Sequence, residues 1–136
     1  MIWRVLLALT WELPQTLLGL LLLLFTRKPS TEKSVEWSIN YIVESYAVFW
    51  RTCRWGVSLG PIIILGDIFR GQAPEVVLHE WGHSKQSLIL GPLYLIVVGI
   101  PSIVMNILSR WGVMNPFRYY DRRPESWADR LGGVSR

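Results

Sequence analysis

The two histidines of this 136-residue chain stand four positions apart, in His79-Glu80-Trp81-Gly82-His83. On a helix, positions i and i+4 project from one face, so both imidazoles can reach one divalent metal. Glu80, beside that face, is placed to take a proton from a water activated there. A hydrolytic metal site needs a third protein ligand and an open position. Downstream, Glu125-Ser126-Trp127-Ala128-Asp129 offers one. If that stretch is helical, Glu125 and Asp129 share a face. Glu125 would then bind the metal while Asp129 accepts a hydrogen bond from a ligand histidine. Pro124 suits the start of such a helix. Asp121, Glu75 and Asp67 are weaker candidates for the third ligand. Taken singly, the motifs also read as helix histidines satisfied by neighbours and as an ordinary amphipathic acidic helix. Taken together, they favour a metal centre.

HEWGH followed by ESWAD resembles the gluzincin zinc metallopeptidases, whose pattern is HExxH with a later ExxxD. The ExxAD form is most similar to the membrane-bound CAAX prenyl protease and HtpX heat-shock protease group. The resemblance covers these two short motifs. It implies His79, His83 and Glu125 as ligands of one Zn2+ per chain, Glu80 as general base and Asp129 as the orienting group. The segments WELPQTLLG and ILGPLYLIVVGIPS are also similar to those of small bacterial membrane proteins that carry HExxH.

The elements that must position these residues are apolar. Hydrophobic residues make up 51% of the chain and charged ones 18%, against about 25% charged in an average soluble domain. Eight Trp and five Tyr suit interfacial belts. The single Cys53 excludes a disulfide framework within the chain. The net charge of +4 comes from scattered basic residues, which favours an anionic membrane surface over nucleic acid.

Residues 5–25 are long enough for an uncleaved transmembrane anchor, with Pro14 kinking it or starting its main apolar part. Glu12 is costly in lipid, so it should lie near an interface or face protein. Residues 35–66 read as strand-rich, broken by Gly60-Pro61. Within them, residues 57–65 are expected as a strand of the core sheet. The sharper alternative is an edge strand beside the metal helix that pairs with an extended substrate.

The HExxH helix is expected over residues 74–90, an apolar hairpin over 91–109, and a polar tail with the ExxAD helix over 110–136. His83 and Glu125 must both approach one metal, so the apolar run between them should turn back. Breaks at Gly99 and Pro101 suggest a re-entrant hairpin, with residues 88–98 descending about 16 Å before the return. A transmembrane hairpin with an intramembrane site is the alternative. Arg4 alone of the 14 Lys and Arg precedes the anchor, which puts the site on the cytoplasmic side.

The expectation is a single α+β membrane protein: an N-terminal transmembrane helix, a small β-sheet, zinc-ligand helices and a short re-entrant or transmembrane hairpin. Its expected activity is zinc-dependent peptide hydrolysis at a bacterial inner membrane, on a peptide or membrane-protein substrate, with the lipid bilayer as partner. Arg118, Arg122, Arg123 and Arg130 read most simply as solvated or headgroup contacts, and any of them, or Tyr119 or Tyr120, could also stabilise the oxyanion, with Tyr119, Tyr120 and Arg130 the candidates for oxyanion or substrate contacts. The alternatives are a non-catalytic membrane binding or assembly protein with a structural or relic metal site, and a hydrolase of a lipid-linked non-peptide substrate.

Overall fold

The computed structural model describes residues 2–25, 35–36, 46–50, 55–66, 74–115, 118 and 121–135. Two apolar helices open the chain, α1 (Ile2–Leu9) and α2 (Leu13–Phe25). The single helix expected over residues 5–25 is instead two, bent by 95°. Pro14 sits in the first turn of α2, where its missing N–H removes no helical hydrogen bond. Glu12, at the bend, turns inward and pairs with Arg4, the two being 0% and 2% exposed. Glu12 therefore faces protein. No single described helix is long and apolar enough to cross a membrane, although the bent pair together passes that test of length and composition.

Among the described residues, four strands form one sheet in the order β1-β2-β4-β3: β1 (Val35–Glu36), β2 (Tyr46–Trp50), β3 (Gly56–Leu59) and β4 (Ile62–Gly66). The strand expected over residues 57–65 is a hairpin, because the chain reverses at Gly60, whose φ of +65° suits glycine. β4 pairs in parallel with β2 and antiparallel with β3, and all five of its residues are buried. Such a central strand reads as an unbroken apolar run, here Ile-Ile-Ile-Leu.

Helix α3 (Pro74–Leu90) carries both histidines. Its Val77 and Trp81 pack on Ile63 and Leu65 to form the core. The rest of its surface is unusual, because it buries polar side chains on several sides, including Ser84, Gln86 and Ser87. Burial of such groups is tolerated only when they are hydrogen-bonded. Ser84 donates to the Gly60 carbonyl at 2.8 Å, and Ser87 donates to Glu12 Oε1 at 2.6 Å. The Gln15 amide donates to Ser87 Oγ at 3.0 Å and to the Gly91 carbonyl at 2.9 Å. The Trp11 indole N–H reaches the Leu88 carbonyl at 2.9 Å. The N-terminal helices are thus docked on the C-terminal half of the histidine helix.

The apolar run after α3 also differs from expectation. The chain redirects at Gly91 (φ +53°), where the Trp11 ring fills the space a Cβ would need. A short 3₁₀ turn (Gly91–Leu93) then leads into one continuous helix, a π turn (Leu95–Gly99) followed by α4 (Ile100–Arg110). There is no reversal at Gly99 and Pro101. Pro101 falls in the first turn of α4, and the wide turn before it carries an Ile100 N–H to Leu95 carbonyl bond. That geometry accommodates the proline ring without breaking the helix. None of the residues of α4 is buried, and Ile96, Ile100, Ile103 and Ile107 project outward along one stripe. Exposed leucines of α2, among them Leu17, Leu21 and Leu24, add to the apolar exterior.

The last element, α5 (Glu125–Gly132), packs against α3 at backbone distance. A Cβ at Gly82 would overlap the Ala128 carbonyl, and one at Gly132 would overlap the Leu78 carbonyl. Glycine at these two positions is what lets the helices close on each other.

Candidate metal centre

That close approach brings both motifs to one point. His79 and His83 lie one turn apart on α3, with ring centroids 4.7 Å apart and planes at 86°. Glu125 opens α5, and Asp129 follows one turn later. Glu125 Oε2 lies 3.0 Å from His79 Nε2 and 3.3 Å from His83 Nε2. One ligand atom from each of the three buried residues falls within 4.8 Å of the others.

The opposite ring nitrogens are also held. Asp129 Oδ1 is 2.7 Å from His79 Nδ1, and Gln86 Oε1 is 2.7 Å from His83 Nδ1. Both oxygens accept, so with neutral rings each Nδ1 carries the proton and each Nε2 turns a lone pair toward Glu125. Gln86 is in turn oriented by donating to the Pro124 carbonyl at 2.9 Å. Two imidazole nitrogens and one carboxylate oxygen, buried and aimed together, form a donor set that can hold a metal ion.

Electrostatics follow from this crowding. Burial pushes the Glu125 carboxyl up, but His79 and His83, which donate from Nε2 to Oε2 when their rings are fully protonated in the metal-free protein, outweigh it and hold the group well below the usual carboxylate range. Burial pulls His83 down, yet its contacts with Glu125 and the nearby Glu80 charge leave it raised overall. Glu80 is pushed up by burial, more than the two histidines pull it down. Its Oε2 is buried without a hydrogen-bond partner among the described residues. Its Oε1 lies where a Cβ on Gly56 would clash, so the glycine of the edge strand makes room for this carboxylate. Ser58, two residues along β3, donates to the Glu80 carbonyl at 2.5 Å and ties the strand to the helix.

His79, Glu80, His83, Glu125 and Asp129 are therefore assembled as their spacing suggests. Glu75 and Asp121 are exposed and lie outside the three-residue ligand group. Arg118, Arg122, Arg123 and Arg130 are likewise exposed. Asp67, Tyr119 and Tyr120 lie outside the described residues. Sequence reasoning missed Gln86, although its position three residues after His83 on the same helix was a usable signal. It also missed Gly56 and Ser102, whose partners are distant in the chain.

Asp129→Asn is expected to weaken metal binding about 10- to 100-fold, because the amide holds the shape but loses the charge that steadies His79. Competition with a chromophoric chelator measures it, and unchanged affinity would show that the Asp129 charge does not support the ligand. No protein-family model, curated protein or solved structure matches this chain.

Proposed function

We propose that this protein is a membrane-bound zinc metalloprotease of gluzincin type. The observation that carries the reading is the orphaned Glu80 Oε2, buried beside two Nε2 atoms and a carboxylate oxygen that converge on one point. A binding site for metal alone has no use for an unpartnered carboxylate next to it, whereas hydrolysis needs a base there. His79, His83 and Glu125 would hold the ion, with Asp129 and Gln86 keeping both imidazoles in the right tautomer. A bound zinc ion would supply Lewis acidity toward the scissile carbonyl and make its water acidic enough to react near neutral pH.

Glu80 Oε2 takes the proton of the attacking water and then delivers it to the leaving amine. Its raised proton affinity suits it to both steps. β3 lies at the edge of the sheet and against Glu80, which supports an extended substrate peptide pairing along it. The apolar exterior of α1, α2 and α4 supports seating in a bilayer, with the site on the cytoplasmic side of a bacterial inner membrane.

Elemental analysis of the purified full chain, followed by a peptide-hydrolysis assay with and without chelator, tests this. About one zinc per chain and chelator-sensitive cleavage are expected. Metal without any hydrolysis would replace the reading with a binding or assembly protein, and no metal after zinc reconstitution would remove both.

A further inference from the structure

Glu125 has two carboxylate oxygens, and they have different partners. Oε2 faces both histidine Nε2 atoms, while Oε1 accepts a hydrogen bond from the hydroxyl of Ser102, in the first turn of α4. α4 has an apolar outer stripe and no buried residue, so nothing in its composition calls for a serine on the inner side. The π turn immediately before it matters here. One residue beyond the normal helical turn rotates everything that follows by about 100° around the axis. Ser102 follows three residues after that turn and meets Glu125 of α5, and such single wide turns are frequent at functional sites.

We propose that Ser102 is a positioning residue for the metal centre: it occupies Oε1 of Glu125, so that this ligand offers the metal Oε2 alone. The inference rests on the metalloprotease reading above and deepens it. A carboxylate with both oxygens available can chelate and fill an extra coordination position. A three-ligand hydrolytic site needs that position for water or substrate. Ser102 also makes the lipid-facing helix part of the site, since displacement of α4 would release Oε1.

The test uses the full chain in detergent micelles, loaded with cobalt in place of zinc, as wild type, Ser102→Ala and Ser102→Thr. Cobalt reports its own coordination number, because four-coordinate centres absorb visible light far more strongly than centres of higher coordination. Ser102→Ala is expected to lower cobalt and zinc affinity about tenfold, the scale of losing an outer partner of a ligand. It should also weaken the visible bands as Glu125 chelates through both oxygens. Ser102→Thr, which keeps the hydroxyl, is expected to restore both affinity and spectrum. A thermal melt confirms that each variant is folded.

Unchanged affinity and spectrum in Ser102→Ala would overturn the proposal. Reduced affinity with an unchanged spectrum would overturn it too, leaving Ser102 a simple packing contact. Wild type that binds neither cobalt nor zinc would instead defeat the metal reading itself, so the two failures are distinguishable.

Discussion

Glu80→Gln is expected to keep the full complement of metal and to lower peptide hydrolysis about 10²- to 10⁴-fold, the range that a positioned acid–base group contributes. The amide has the shape of the carboxylate and fits against Gly56 in the same space, but it cannot accept the proton of the attacking water. Glu125→Ala gives the opposite pattern, losing metal and activity together, because it removes the oxygen shared by His79 and His83. Parallel metal analysis and turnover on the three proteins separates the roles. Full activity in Glu80→Gln would sink the mechanism.

The same substitution has a stability signature. A buried carboxylate with a partnerless oxygen is destabilising when charged, so Glu80→Gln is expected to stabilise the metal-free protein by about 1 kcal/mol at neutral pH. The folded-state proton affinity of Glu80 lies above its unfolded one. Its contribution is therefore present below the unfolded pKa and lost as pH rises through the folded value. In the variant, that part of the pH dependence disappears from thermal melts.

The second large effect is expected at the other end of α3. Glu12→Ala should destabilise the protein by about 3–5 kcal/mol, because it removes the buried carboxylate that pairs with Arg4 and deprives Ser87 of its acceptor. Replacing both partners together, Arg4→Met with Glu12→Leu, is expected to recover most of the loss, since an apolar pair leaves no uncompensated charge. Thermal unfolding in detergent gives both numbers. A single mutant as stable as wild type would mean that the N-terminal helices are not docked on α3 as described. The double mutant should also retain metal, because Ser87 and Gln86 lie on different sides of the helix, one toward Glu12 and the other toward His83.

Much of the candidate site was legible in the order of residues. Helical geometry alone places His79 and His83 on one face and Glu125 beside Asp129, because those relations are local and repeat every turn. The special position of Glu12 was also readable, from the cost of a charge among leucines, whereas Gly60-Pro61 carried a turn signal inside a segment expected as one strand. What failed was long-range direction. Gly99 and Pro101 look like breaks in isolation, yet Pro101 falls where a helix tolerates proline and Gly99 is absorbed in a π turn. The chain changes direction at Gly91 instead, where Trp11, 80 positions earlier in the chain, occupies the space beside the backbone.

The amino-acid sequence by itself determined the ligand types, their pairing on two helices and the apolar character of the segments around them. The tertiary structure decided the rest, for a physical reason. A metal-ligand set depends on distances of a few ångströms between elements about 40 residues apart, and such distances are set by packing. Here glycines at 82 and 132 let α5 close on α3, Gly56 leaves space for Glu80, and Ser102 of α4 reaches Oε1 of Glu125. Each of these contacts depends on how close two backbones come, a quantity that no local pattern encodes.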